Sequence, residues 1–438
     1  MSKKLPGPGT ATTLRRLMPM PFLKFVPFLR EMTARYGNLY AFSVPWRRYV
    51  FINEPVLIKD VLVTQQQAFS KSLGTRMLRH LLGEGLLTSE DPLHRQMRRI
   101  VQPAFHRERI GRYAAAMEAA ADDFANGLRA DRPFDLHAAM TALTLRIASV
   151  TLFGSDASDA AQRVSAALGL MMREFPYVLL PFGELRRRLP LPATRRFQAA
   201  KKSLDDIIYA LIALRRETPG DDALSMLLAA HDAESGYRPS DEQIRDEVMT
   251  LFMAGHETTA NLLVWTWYLL AQHPDVDAAT AAAAIDGDGD FIDRVVLESL
   301  RLYPPAWVVG RESRRAVTLS DGTLVAPKTT VLIAPLLLHR RPEFFRDPDR
   351  FDPDRWLGAE PAPFSYLPFG AGARRCIGND FALREAAIVL RAVTARFSFA
   401  LEPGVDVRPA PLVTLRPDGP VPVRPSYRRS FSIATTSS

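Results

Sequence analysis

The one cysteine among 438 residues, Cys376, lies in Phe369-Gly370-Ala371-Gly372-Ala373-Arg374-Arg375-Cys376-Ile377-Gly378. With no second cysteine, an intrachain disulfide and a Cys-only zinc or iron–sulfur site are both excluded. A thiolate in a Gly-opened loop, beside Arg374 and Arg375 and just ahead of a helix start, gains from the cations and from the helix N-terminus. Such a sulfur is a metal ligand or a nucleophile; the bland alternative is a structural cysteine on a turn. A second constellation is Ala254-Gly255-His256-Glu257-Thr258-Thr259. Gly inside a helix costs about 1 kcal/mol relative to Ala, so Gly255 suggests that something approaches the backbone there. Glu257 and Thr258 set an acid beside an alcohol, a pair suited to proton handling, although alone they read first as a solvent-facing acid and a capped hydroxyl. His256 reads as a partly exposed helix residue, and no second histidine follows it at zinc-protease spacing. His94 and Arg98, four apart, share a helix face; they suit an anionic ligand or form a solvated basic face. Glu298 and Arg301 are three apart and can pair.

The cysteine stretch resembles the haem-binding signature of the cytochrome P-450 family, Phe-x-x-Gly-x-Arg-x-Cys-x-Gly, with every fixed position present. The resemblance implies haem b held by Cys376 as iron ligand, a thiolate that favours O–O cleavage, with Phe369 shielding the sulfur and the glycines letting backbone N–H groups approach it. Residues 254–259 match the family's Ala/Gly-Gly-x-Asp/Glu-Thr-Thr/Ser sequence, which implies that Thr258 hydrogen-bonds dioxygen and Glu257 relays protons. His94-x-x-x-Arg98 matches a propionate-binding pair, and Arg311 and Arg374 match propionate-binding arginines by position. Glu298-x-x-Arg301 matches a buried structural pair that Arg355 completes. The usual Pro-Glu-Arg-Phe around that arginine reads Pro353-Asp354-Arg355-Trp356 here, which leaves the detailed packing open. The short interval between His273-Pro274 and Glu298 resembles a compact bacterial subgroup that includes a carotenoid hydroxylase. Four motifs stand in family order from about residue 35 to the end.

The elements that must position these residues follow from local pattern. Ser240 and Gln243 complete a capping box with acids in the first turn; the helix runs some 33 residues to His273-Pro274, about 50 Å, and crosses the molecule. Residues 39–52 read as a hairpin around Pro45-Trp46, and Asn53-Glu54-Pro55 opens a short helix. His94–Arg99 is helical, and residues 112–216 are mostly so. Asp286-Gly287-Asp288-Gly289-Asp290 hints at a calcium loop, but Phe291 stands where Gly is required, so it reads as a turn. Phe381, Val389, Val393 and Phe397 recur at multiples of four as one helix stripe. Leu412–Leu415 with a Pro417-Asp418-Gly419 turn reads as a final hairpin. Met77, Leu78, Leu81 and Leu82 are either contacts of a loop over the substrate or core residues. The apolar interruption Phe175–Phe182 either admits greasy substrates, touches a membrane, or packs plainly.

The whole reads as a mainly α protein with small β-sheets, a single domain over residues 1–438 with a flexible Pro/Gly-rich terminus at 1–20. The resemblance gives it the triangular helical haem fold with a long central helix. Hydrophobic residues at 47% and charged ones at 24% fit a globular core. The net charge of +8 comes without the basic tracts of nucleic-acid arms, so no nucleic-acid partner is expected. Arg95, Arg98, Arg99, Arg374 and Arg375 either steer an acidic electron donor or form a solvated surface. No apolar run reaches ~18 residues and the N-terminus lacks a signal-peptide core. A cytoplasmic monomer without a transmembrane segment is expected, its start resembling the hinge behind a microsomal anchor. The implied activity is insertion of one atom of O2 into a hydrophobic small molecule (terpenoid, steroid, carotenoid or fatty acid), with electrons from a separate ferredoxin-type donor and its reductase. Peroxide-driven oxygenation and a non-catalytic haem sensor or carrier are the alternatives; no His and Asn/Asp pair with Cys376 as in a cysteine hydrolase.

Overall fold

Local chemistry sets the helix starts. Pro55, Pro192, Pro274 and Pro335 stand in first turns, where a missing N–H costs nothing. Ser72, Asp135, Asp222, Ser240 and Asp288 each accept a backbone N–H as N-caps. The computed structural model describes residues 5–18, 21–154, 191–358 and 360–428, with 164, 167, 169, 170 and 189. The α-helices used below are α1 (Thr10–Leu17), α2 (Pro21–Tyr36), α3 (Pro55–Lys59), α4 (Leu73–Met77), α5 (Arg79–Leu82), α6 (Leu93–Val101), α7 (Arg107–Gly127), α8 (Leu136–Phe153), α9 (Pro192–Glu217), α10 (Ala223–Ala229), α11 (Asp241–Gln272), α12 (Pro274–Asp286), α13 (Gly289–Leu302), α14 (Pro335–Leu338) and α15 (Asn379–Thr394). The strands are β1 (Leu39–Val44), β2 (Arg47–Ile52), β3 (Phe69–Lys71), β4 (Phe134–Asp135), β5 (Val309–Ser313), β6 (Val317–Thr318), β7 (Leu324–Val325), β8 (Thr330–Ile333), β9 (Phe397–Leu401), β10 (Pro409–Pro411), β11 (Leu415–Pro417) and β12 (Pro422–Tyr427).

The largest sheet has the order β1-β2-β8-β5-β3, with β2 and β8 parallel and the other pairs antiparallel. Among the described residues, a three-stranded sheet (β4-β12-β9) and two strand pairs complete the β structure. The main core packs residues of α7, α8, α11, α13 and α15 together, while Val50, Ile52, Leu57, Ile58, Val331 and Ile333 form a second core beside the large sheet. α11 is the axis. Its capping box is complete, and its 32 residues give roughly 48 Å at 1.5 Å each. Phe252 stacks on Phe153 of α8 at 4.1 Å, and Trp265 on Tyr303 at 4.3 Å. α8 is the one described helix long and apolar enough to cross a membrane, and 61% of it is buried inside the fold.

Most element expectations hold, with four corrections. The hairpin at 39–52 pairs Val44 with Arg47 across Pro45-Trp46, as expected. Residues 5–18, expected to be flexible, are docked: Ala41 N–H donates to Pro6 O, and Thr13 and Leu17 are buried. The final hairpin turns at Leu412–Thr414 instead of Pro417–Gly419, because Trp307 Nε1 donates to Leu412 O and Trp265 Nε1 to Leu415 O, each at 3.0 Å, and hold the bend there. Phe397 belongs to β9, since α15 stops at Thr394. Leu78, Leu81 and Leu82 are core residues, while Met77 is half-buried against that core. His256 is buried, as described below. The Asp-rich 286–290 segment joins two helices, with Gly287 left-handed after α12 and Asp288 capping α13; among the described residues no cluster of acids, His or Cys suits a metal ion. The stretch Phe175–Phe182 lies outside the described residues.

Candidate active site

The cysteine loop is shaped by two left-handed glycines, Gly370 (φ 68°) and Gly372 (φ 72°). A Cβ on Gly372 would lie 1.9 Å from Leu62 O, so only glycine fits. Cys376 N–H donates to Phe369 O at 2.9 Å, closing the loop, and Gln66 Oε1 accepts from Ala373 N–H at 3.1 Å. The Cys376 side chain is exposed although protein surrounds it, so the thiol faces a space kept inside the fold. Burial pushes its pKa up; the Gly378 N–H and the charges of Arg98 and Arg375 pull it down but are outweighed. Arg375 and the N–H at the helix start thus favour the thiolate, as expected, but burial, which sequence does not report, is the larger effect. Arg374 does not act on the sulfur: it turns to Glu90 and to Ser89 O.

A basic cluster gathers beside this loop. Arg98 Nη1 donates to Arg375 O at 2.7 Å, which joins α6 to the cysteine segment. His94, buried on the same helix, has Nδ1 3.4 Å from Asp91 Oδ1. Arg311 pairs in register with Lys71 across β3 and β5, and its Nη1 reaches Gly310 O. Burial first, then mutual repulsion, depresses this group. Lys71 falls to about 6, partly through Arg374 and Arg311; His94 to about 4, partly through Lys71 and Arg374; Arg311 to about 10, partly through Arg374. Glu90 offsets some of this charge by accepting from Arg374 and Arg314. A cluster of basic groups this crowded and poorly hydrated, part of it discharged by its neighbours, fits an anionic group seated among them, and with an enclosed thiol alongside, the residues fit a haem and its carboxylates. All four predicted cationic positions thus meet in one region. Lys71 joins them without a sequence signal, since its place depends on a strand pairing 240 positions away.

On α11, Ala254 is exposed and Gly255 has no atom within 4 Å of a built Cβ, although the flanking residues are buried. The helix therefore opens onto free space at the segment carrying Glu257 and Thr258. Thr258 Oγ1 donates to Ala254 O at 2.6 Å, so its lone pairs remain for an incoming donor. Glu257 Oε1 accepts from Thr414 Oγ1 at 2.7 Å. His256 points away, into the α8 side: its Nδ1 meets Phe252 O, Thr144 donates to its backbone oxygen at 2.9 Å, and burial lowers its pKa.

Support for the loop comes from a buried carboxylate. Glu298 and Arg301 are fully buried and joined by two bonds of 2.8 Å. Glu298 also accepts from Arg355 Nε (3.3 Å), Asp352 N–H (3.0 Å) and Trp356 Nε1 (3.1 Å). Arg301 donates to His339 O, Pro348 O and Arg350 O. The departures from the usual sequence have places: Trp356 adds a donor, and Asp354 pairs with Arg294 at 3.0 Å. His339, which sequence reasoning missed, connects this network to the cysteine segment. Its Nε2 accepts Leu367 N–H at 2.8 Å and its Nδ1 lies 3.3 Å from Arg301 O.

A mainly helical fold with an enclosed thiol loop, a basic cluster beside it and a long helix opened at an acid–alcohol pair defines a haem-thiolate protein. The family model described as cytochrome P450 matches residues 8–420, and the chain belongs to that family. It is 37% identical to cyclooctatin synthase of Streptomyces melanosporofaciens, over 97% of this chain and 94% of that protein. It is 34% identical to pentalenene oxygenase of Streptomyces avermitilis, over 89% and 90%. Cyclooctat-9-en-7-ol 5-monooxygenase of Streptomyces melanosporofaciens is 33% identical, over 91% and 90%. The chain is a cytochrome P450 monooxygenase, of a family that uses haem-thiolate and O2 and takes electrons from redox partners.

Proposed function

We propose that this chain hydroxylates a cyclic terpenoid, with haem b held by Cys376 and its propionates received by His94, Arg98, Arg311 and Arg374. One observation carries the haem assignment: Cys376 is surrounded by protein yet its side chain stays accessible, so the fold keeps a space at the sulfur. When bound there, haem supplies one-electron and oxygen chemistry. The chain's own residues do the rest. Arg98 and Arg375 place positive charge at the sulfur, Glu257 holds and moves a proton at its carboxylate, and Thr258 presents its hydroxyl to the opened side of α11. Terpenoids are favoured because pentalenene and cyclooctat-9-en-7-ol, named in two of the relatives, are apolar ring compounds. Electrons come singly from a separate ferredoxin-type protein docking near exposed Arg375, and the chain works as a cytoplasmic monomer.

Glu257→Gln and Thr258→Ala should keep the reduced-CO spectrum while product formation falls by ~100-fold or more, the scale of a lost proton-transfer group, and hydrogen peroxide rises. Undiminished product would overturn the relay. Titration with terpenoid olefins, steroids, carotenoids and fatty acids, followed through the iron spin state, tests the substrate class; a response to fatty acids alone would reject terpenoids.

A further inference from the structure

Glu257 is held by residues that no motif singles out. The bend of the β10–β11 hairpin brings Thr414, mostly buried, against α11. Asn261 Nδ2, one turn beyond Glu257 and fully buried, donates to Thr414 Oγ1 at 3.2 Å. A hydroxyl has one proton, so with Asn261 donating to it Thr414 must direct that proton to Glu257 Oε1 at 2.7 Å. The other end of Asn261, its Oδ1, is buried without a hydrogen bond of full geometry, and the His137 ring is the group that acts on it. His137, half-exposed in the first turn of α8, lies beside it. The charged groups facing His137 are Asp135 from β4, Arg416 from β11 and Glu257 from α11. The bend itself is fixed, since Trp265 and Trp307 hold its carbonyls and Leu415 N–H donates to Pro305 O at 2.9 Å.

We propose that Thr414 and Asn261 are positioning residues for Glu257 and that His137 is the solvent-side end of the same polar file, so that the file sets where the Glu257 carboxylate waits and how product formation varies with pH. The inference rests on the proton role given to Glu257 above. Thr414, itself held by Asn261, fixes one carboxylate orientation. His137, by giving its ring N–H to the Asn261 oxygen, locks the amide that locks Thr414. No bond is made or broken in this positioning. Burial, helped by Arg416, lowers the pKa of His137, while Asp135, Glu257 and the bond to Asn261 oppose that shift.

The test measures how electron equivalents divide between product and hydrogen peroxide. Thr414→Val and Asn261→Leu should cut the product share roughly tenfold, the scale for partners that orient a reacting group. The reduced-CO spectrum and the substrate-induced spin shift should persist, and Thr414→Ser should restore the product share. His137→Phe should flatten its pH profile. Without turnover, the His137 ring titration can be followed by NMR in the diamagnetic carbonmonoxy protein. Glu257→Gln should move its midpoint to lower pH, because a carboxylate that favours the imidazolium is gone. If Glu257→Gln lowers the product share and Thr414→Val does not, this inference fails while the relay stands. If Glu257→Gln leaves the product share intact, both fall. An unmoved His137 midpoint removes His137 from the file.

Discussion

At the scale of single residues, the chemistry of Cys376 was legible as an identity but not as an acidity. The glycines, the lone cysteine and the neighbouring arginines are all local in sequence, and they mark the ligand. Its acidity depends on how much protein surrounds the sulfur, which no run of residues reports. Haem-free protein at pH 8 should therefore react with iodoacetamide more slowly than a free thiol, and Arg98→Ala should slow it further by removing a charge that favours the thiolate. A rate equal to that of free cysteine would contradict the burial. Glu385 on α15 was not legible at all. It is fully buried, neither carboxyl oxygen makes a hydrogen bond of full geometry, and burial raises its pKa well above the ordinary range, opposed only by the nearby Thr259 hydroxyl. The folded chain keeps this proton while the unfolded chain loses it above about pH 4.3, so its effect on stability worsens as pH rises. Glu385→Gln should raise Tm at pH 8 and leave it nearly unchanged at pH 4; equal gains at both would point to packing instead.

At the scale of elements, those with complete local signals came out as expected. The α11 start has a capping box and the 39–52 hairpin has its own turn; neither needs a distant partner. The final hairpin misled because its bend is set by two tryptophans from elsewhere, and Phe397 misled because spacing by fours cannot show where a helix stops. The Glu298–Arg301 pair was visible as a spacing, whereas its worth depends on burial. Removing one member of a buried pair leaves an uncompensated charge and costs about 3–5 kcal/mol, so Arg301→Ala should yield little folded, haem-loaded protein. Trp356→Phe removes one bond to a charged group and should cost about 1.5–3 kcal/mol while keeping haem. Denaturant midpoints and the ratio of haem to protein absorbance distinguish the two. Equal losses from both variants would deny that Arg301 is the principal partner.

At the scale of the whole molecule, what stayed hidden was what distant segments build together. Lys71 enters the cation cluster through the large sheet, and the basic surface suggested by Arg95 and Arg99 is largely answered by Asp91, Asp232 and Glu234. His339 is the widest such connection, with burial holding its pKa to about 3. The unfolded chain takes up a proton near pH 6.5 and the folded chain does not, so stability at this group is intact above pH 6.5 and falls as pH drops toward 3. Holoprotein titrated downward should lose stability through that window, and His339→Gln should flatten the decline; an unchanged slope would locate the acid weakness elsewhere.

The bond from Leu367 to that imidazole also decides what souring looks like. A protonated ring can no longer receive the amide, and the slack appears just ahead of the sulfur. Bleaching should then precede clouding, and a colourless yet clear solution should regain its red on neutralising with fresh pigment.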